Sequence, residues 1–207
     1  DVNDLPWLFK PLVWVYKMWK KTTVVSINDN SDKVKCMRKI GSWIFSTDAD
    51  IVCLQEDFNY HEELVNSVSG NYFPFTYTGG FNLSNIFSSI KWFPYPRFKA
   101  DGLNLLIKDS RVDVLAENIV PWKDSYGYFS HGNDKLTMKG FRHYSLLIDR
   151  MIPLDVYVVH MDADFYHPEK CPDVGGDVKA RASQLKQLVE YILKNGISVP
   201  TIIVGDT

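Results

Sequence analysis

Apolar and polar positions alternate along the chain in blocks that predict strands and helices in turn. Three runs of mainly β-branched or aliphatic residues are typical of buried strands: 22–27 (TTVVSI), 51–54 (IVCL) and 201–204 (TIIV). Two longer segments carry apolar residues at helical spacing, and we predict helices beginning at Asp32 and spanning 178–194. Further strands are predicted at 103–107, 144–148 and 154–159, and a short helix at 62–68.

Two stretches rich in turn-forming residues interrupt this pattern. Residues 71–99 predict a long loop or hairpin, and residues 164–177 predict a polar loop. Because helices and strands interleave around a hairpin-like middle, we expect an α/β (α+β) fold with a mixed sheet. No linker-like break divides the chain, so we expect one domain over 1–207, whose first 21 residues form an aromatic and basic N-terminal extension.

The composition excludes several classes of protein. With 45% apolar and 14% aromatic residues and a net charge of -2, the chain is not intrinsically disordered. A pI near 6.2 lacks the basic footprint of a non-specific DNA-binding protein, although a bound metal can supply positive charge locally. The three cysteines have no CxxC spacing and predict neither a disulfide framework nor a zinc site.

The N-terminal extension combines indole rings with lysines. Trp7, Trp14 and Trp19 are interspersed with basic residues, a mixture that suits the interface of a membrane. Burial of the same side chains against the sheet is the alternative, and we favour it. Exposure of this segment would instead indicate contact with a membrane surface.

Four of the predicted strands are followed by a polar residue suited to metal or proton chemistry. These residues are Asn28, Glu56, His160 and Asp206. Any one of them alone is explained by a helix cap or a solvated turn. Together, at the ends of neighbouring strands, they favour a site for a hard divalent cation and acid/base hydrolysis.

The segments that carry these residues resemble the endonuclease/exonuclease/phosphatase superfamily, which has the DNase-I-like fold. The matching segments are VVSIN ending at Asn28, ADIVCLQE ending at Glu56, DGLNLLIK from Asp101, VYVVHMDA around His160, RASQL from Arg181 and PTIIVGD ending at Asp206. Within the superfamily, the pattern looks most like bacterial neutral sphingomyelinases. The resemblance implies a four-layer sandwich of two mixed β-sheets flanked by helices.

The resemblance also implies a role for each matched strand-end residue. Glu56 would be the principal ligand of Mg²⁺, or alternatively Mn²⁺, with Asn28 beside it contacting the metal or the phosphate. His160 would donate a hydrogen bond to a phosphate oxygen and stabilise the charge of the transition state. Asp206 would orient or deprotonate the attacking water.

Other polar residues near these motifs have structural alternatives. Asp101 is a candidate for contact with the substrate phosphate, but a turn explains it as well. Asp162 is a candidate for contact with the substrate phosphate or the metal, although we expect it to lie in a solvated loop. Lys139 is a further candidate for phosphate, although we expect it to be a solvated surface lysine. We expect Arg181 and Gln184 to brace their helix against the site loop. The remaining histidines are expected on the surface or in loops: His61, His131, His143 and His167.

The implied function is Mg²⁺-dependent hydrolysis of a phosphoester by attack of an activated water. The substrate classes are a phospholipid headgroup, as in sphingomyelinases, a phosphorylated small molecule and, less favoured, nucleic acid. The alternatives are a divalent-metal nuclease and a catalytically silent binding protein. The family pattern also contains an Asn two residues after Asp206 and a C-terminal Asp-His pair, so we expect a remainder of the same domain beyond Thr207. It further implies a secreted or cell-envelope bacterial protein.

Overall fold

The computed structural model describes residues 32–58, 60–68, 70, 72–75, 101–108, 110–127, 134, 137–163, 175–195 and 198–207. Its helices are α1 (Asp32–Thr47), α2 (His61–Ser67) and α3 (Gly176–Asn195). Its strands are β1 (Ile51–Leu54), β2 (Phe73–Phe75), β3 (Asn104–Ile107), β4 (Val112–Pro121), β5 (Gly140–Ile148), β6 (Ile152–His160) and β7 (Thr201–Asp206). The predicted strand at 22–27, the N-terminal extension and Asn28 lie outside the described residues.

The described strands form two sheets. The first has the order β1-β3-β2, and both pairings are antiparallel. The second has the order β4-β5-β6-β7, in which β4, β5 and β6 are antiparallel neighbours and β7 is parallel to β6. Because parallel neighbours need a crossover connection, α3 lies between β6 and β7 along the chain.

Alternation along the strands explains how the layers pack. On β3, Leu105 contributes to the core between the two sheets, whereas its neighbour Leu106 packs with residues of α1 and α2. On β6, Val158 faces the other sheet, whereas Tyr157 packs with residues of α3. The layers are therefore α1 and α2, the first sheet, the second sheet and α3, which is the predicted four-layer arrangement.

Two strands were not predicted from the sequence. Strand β4 has no simple apolar alternation, because its register shifts between Val114 and Ala116 and because Leu115 and Ile119 are exposed. Strand β2 lies inside the stretch 71–99 that was predicted to be a loop or hairpin, and the rest of that stretch is outside the described residues. Both sheets are consequently wider than the sequence pattern indicated.

Helix α3 has apolar residues on both faces. Ala180 and Leu188 are buried, and Leu188 packs with residues of the second sheet, whereas Leu185 and Leu193 are 53% and 63% exposed. In the part of the chain described here, no helix combines the length and the apolar character needed to cross a membrane.

Candidate functional site

Three of the four predicted strand-end residues meet at one rim of the structure. His160 and Asp206 are paired residues at the ends of the parallel strands β6 and β7. Glu56 follows the end of β1, a strand that contacts β7, and its Oε1 lies 3.7 Å from Nε2 of His160. The fourth residue, Asn28, lies outside the described residues.

Gly205 allows β7 to approach β6 closely at this rim. Its φ angle is 149°, and a Cβ atom at this position would lie 1.9 Å from the carbonyl oxygen of Val159. No L-residue with a side chain fits there without moving the strand. The glycine that precedes Asp206 therefore sets the spacing between Asp206 and His160.

Glu56 adopts an unusual backbone conformation. Its φ angle of 54° lies in the left-handed region, which residues other than glycine and asparagine rarely adopt. The turn leaves its side chain 68% exposed beside the nearly inaccessible ring of His160. A carboxylate is thus presented to solvent next to a buried imidazole.

His160 is held from several directions. Its carbonyl oxygen accepts a hydrogen bond of 2.8 Å from Nε1 of the fully buried Trp122. Burial lowers the pKa of its imidazole and the charge of Lys139 lowers it further, whereas a hydrogen bond to the backbone of Asp101 and the charge of Glu56 oppose this shift. The neutral imidazole is therefore favoured.

Lys139 is buried rather than solvated, so the prediction of a surface lysine is wrong. Only 5% of the residue is exposed. Its Nζ donates a hydrogen bond of 2.9 Å to the carbonyl oxygen of Met161 and forms an ion pair with Asp134, also at 2.9 Å. Asp134 in turn accepts a hydrogen bond from the backbone N of Ala163. Through these hydrogen bonds the buried ion pair fixes the segment after His160.

Asp162 is also buried, which contradicts its assignment to a solvated loop. The residue is 2% exposed, and its Oδ2 accepts a hydrogen bond of 2.6 Å from the backbone N of Tyr126. Burial raises the pKa of its carboxyl group to about 6, although the hydrogen bond from Tyr126 acts in the opposite direction. Its predicted contact with substrate stays a prediction.

Gln184 braces α3 against the site loop, as predicted. The side chain is fully buried, and its Oε1 accepts a hydrogen bond from the backbone N of Asp162. Its Nε2 donates to the carbonyl oxygen of Asp124. One glutamine therefore connects the helix to two separate loops.

Asp101 forms a buried ion pair that the sequence did not reveal. Arg142, fully buried on β5, donates to both carboxylate oxygens of Asp101 at 2.7 Å and to Glu117 at 3.0 Å. Burial acts to lower the pKa of the Arg142 guanidinium, but hydrogen bonding and the charge of Asp101 raise it overall. Since Arg142 occupies both oxygens of Asp101, the predicted contact with substrate phosphate finds no support in these hydrogen bonds and stays a prediction.

Two histidines expected on the surface are buried, so those predictions are wrong. His61 lies 2.5 Å from the carboxylate of Asp57, and Nε2 of His143 lies 3.0 Å from the carboxylate of Asp155. The His143 ring also stacks on Tyr157, with ring centroids 4.4 Å apart. Carboxylate partners provide the hydrogen bonds that allow both rings to be buried. His131 and His167 lie outside the described residues.

The donors at the rim fit a hard cation such as Mg²⁺. Glu56 and Asp206 both supply carboxylate oxygens at exposed positions, and Mg²⁺ needs only one or two carboxylates because it retains several waters. Within the described ranges, no cluster of three or more His, Cys, Asp or Glu side chains is arranged to enclose a metal.

No protein-family model matches the chain, and no curated protein matches it. Solved structures do resemble it. A β-hairpin deletion mutant of beta toxin from Staphylococcus aureus has a TM-score of 0.65 and 19% identity, over 87% of this chain and 61% of the toxin chain. A beta toxin mutant with bound magnesium ions has a TM-score of 0.60 and 17% identity, over 82% and 57% of the two chains. TDP2 from D. rerio, complexed with a single-strand DNA product, has a TM-score of 0.56 and 14% identity, over 89% and 57%.

At these identities the likeness concerns the fold. The chain has the DNase-I-like fold, and the predicted architecture of two sheets with flanking helices is confirmed. The chain spans 57–61% of the length of these three solved structures.

Proposed function

We propose that this chain carries the catalytic face of a Mg²⁺-dependent phosphoester hydrolase, with Glu56, His160 and Asp206 as its principal groups. The observation that carries the proposal is their convergence on one rim. His160 and Asp206 end paired strands, and the carboxylate of Glu56 lies 3.7 Å from the imidazole. Among the structures that share the fold, a beta toxin mutant has bound magnesium ions and TDP2 is complexed with a single-strand DNA product, which supports metal-assisted chemistry on a phosphoester.

Each of the three residues has a distinct role in this proposal. Asp206, exposed at the rim, orients the attacking water and accepts its proton. His160 donates an N–H hydrogen bond to an oxygen of the phosphate, where negative charge increases in the transition state. The buried surroundings of His160 fix the direction of this donor before the substrate binds, which reduces the reorganisation needed during the reaction.

Glu56 and Asn28 would hold the Mg²⁺, with Mn²⁺ as an alternative. The exposed carboxylate of Glu56 supports this assignment, because a carboxylate in a polar, solvent-accessible position is what this ion requires. When bound, the cation supplies positive charge that offsets the charge of the phosphate.

A phospholipid headgroup or a phosphorylated small molecule is the substrate class that we favour. A net charge of -2 provides no general attraction for a polyanion such as DNA, whereas a single phosphodiester needs only the charge within the site. The resemblance of the sequence motifs to bacterial neutral sphingomyelinases favours a phospholipid headgroup, and the TDP2 complex with a single-strand DNA product supports a nuclease as the alternative.

The test is hydrolysis by the full-length protein of sphingomyelin vesicles, an aryl phosphodiester, an aryl phosphomonoester and plasmid DNA. We expect turnover of one substrate that EDTA abolishes and added Mg²⁺ restores. Glu56→Gln keeps the size of the side chain but removes its charge, and we expect it to lower turnover on the order of 100-fold.

Glu62→Gln is the matched control, because Glu62 is an exposed glutamate in the first turn of α2. We expect it to retain wild-type turnover, since surface substitutions of this kind change little. Turnover of DNA alone would favour the nuclease. Absence of both turnover and Mg²⁺ binding would contradict the hydrolase and leave a binding protein on this fold.

A further inference from the structure

We infer that Asp57 is a positioning residue, whose buried carboxylate, held by His61 and Asn104, keeps Glu56 in its metal-binding conformation. The inference rests on the proposed function of Glu56 as a metal ligand and deepens it. Asp57 is 4% exposed, and its Oδ2 is held by two residues of the protein, so we place it behind Glu56 rather than against the substrate. Any effect of Asp57 on the metal therefore passes through its neighbour Glu56.

The backbone of Glu56 needs such support. Its left-handed φ angle of 54° is unfavourable for a glutamate, so the residue would relax to a negative φ if its surroundings allowed it. Conformations of this kind persist only where neighbouring contacts determine them. A change of φ at this position would redirect the carboxylate that now lies 3.7 Å from His160.

The carbonyl oxygen of Glu56 accepts a hydrogen bond of 2.7 Å from the backbone N of Phe58, and the other contacts of this turn converge on Asp57. Its Oδ2 accepts a hydrogen bond of 2.8 Å from Nδ2 of Asn104 and lies 2.5 Å from Nδ1 of His61. Its backbone N donates to the carbonyl oxygen of Gly102 at 3.0 Å. The residue directly after Glu56 is thus attached to β3, to the first residue of α2 and to the loop before β3.

The three attachments constrain the turn more tightly than β1 alone could. Asn104 is the register partner of Leu54, the last residue of β1, so it connects the end of that strand to Asp57. His61 holds the same carboxylate from the other side of the turn. With both side-chain attachments, to Asn104 and to His61, in place, the backbone of Glu56 has little freedom to rotate. The position of its carboxylate is therefore set before a cation binds.

The experiment measures Mn²⁺ binding by the full-length protein without substrate, from the electron paramagnetic resonance signal of the free ion. Asp57→Ala removes both side-chain attachments, and we expect it to weaken Mn²⁺ binding on the order of 10-fold, as for other residues that orient metal ligands. Asp57→Asn keeps an acceptor oxygen for both donors, so we expect it to restore most of the affinity.

His143→Ala is the matched control. It removes a second buried histidine that pairs with a carboxylate, but His143 lies on β5 in the other sheet, where its ring stacks on Tyr157. We expect His143→Ala to lower the stability of the fold and to leave Mn²⁺ affinity unchanged. If Asp57→Ala does not fold, Asn104→Ala removes one attachment alone and should weaken binding to a smaller, measurable extent.

The outcomes separate this inference from the proposed function. Wild-type protein that binds no Mn²⁺ overturns both. Wild-type binding with unchanged affinity in the folded Asp57 or Asn104 variants overturns the positioning role only. Equal loss of affinity in His143→Ala would show that general destabilisation explains the effect, and this result also overturns the positioning role.

Discussion

The buried carboxyl group of Asp162 predicts a distinctive dependence of stability on pH. Its pKa rises from an ordinary value of 3.8 to about 6 on folding, because burial disfavours the charged form. Between these two values the unfolded chain binds fewer protons than the native protein. The contribution of this group to the free energy of unfolding therefore decreases as pH rises through this window.

The size of the effect follows from the shift. About two pKa units correspond to about 3 kcal/mol between the two protonation states. Asp162→Asn cannot ionise, so it lacks this loss of stability. We expect the stability of the variant relative to wild type to increase by about 3 kcal/mol between about pH 4 and about pH 7 and to stay constant at higher pH.

Urea denaturation followed by circular dichroism at several pH values measures this difference. The absolute stability of Asp162→Asn also includes an offset that does not change with pH. In this variant an amide NH₂ would replace Oδ1, an oxygen that makes no hydrogen bond within the described part of the chain. Only the change with pH tests the argument. Gln187→Met is the control, since it removes hydrogen bonds from the same helix to Lys123 and Pro121 but leaves Asp162 and its partners in place. A difference between Asp162→Asn and wild type that is independent of pH would refute the reasoning.

Two further variants test the packing beneath the site. Gly205→Ala places a Cβ atom 1.9 Å from the carbonyl oxygen of Val159, and we expect a loss of about 3 kcal/mol in thermal denaturation. Gly70→Ala adds a Cβ atom at a residue whose φ angle is already 106° and where no atom lies within 4 Å, so it should cost about 1 kcal/mol. Equal costs for the two variants would contradict the importance of close strand approach. Arg142→Met leaves the carboxylate of Asp101 buried without its cation, and we expect a loss of about 3–5 kcal/mol in urea denaturation. Addition of Asp101→Asn to that variant should recover part of the loss, and failure to recover any would contradict the importance of the unpaired charge.

Most helices and strands could be predicted from the sequence because their burial is periodic. Strand β1 and helix α3 lie where the apolar spacing placed them. Strand β5 begins at Gly140, four residues earlier than its apolar run indicated, because Arg142 and His143 are buried there. Buried charged and polar residues have no periodic signature, since partners elsewhere in the chain make their burial favourable.

The site was predictable only where its residues follow apolar strands. The convergence of Glu56 and His160 followed from the position of each at the end of a strand. The pairs that support the rim join residues 41 and 47 positions apart, Arg142 with Asp101 and Asn104 with Asp57. A single sequence does not show which acidic side chain will pair with a given arginine or asparagine side chain, because the pairing depends on the register of the sheets.

Trp122 makes the rim observable without any added label. Its indole N–H donates a hydrogen bond to the carbonyl oxygen of His160, and the fluorescence emission of tryptophan responds to such a bond. The sequence contains six tryptophans, so comparison with Trp122→Phe would assign the signal to this ring. A phosphate analogue that displaces His160 even slightly would change that signal, and the kinetics of ligand arrival could be followed by stopped-flow fluorescence before any bond is broken.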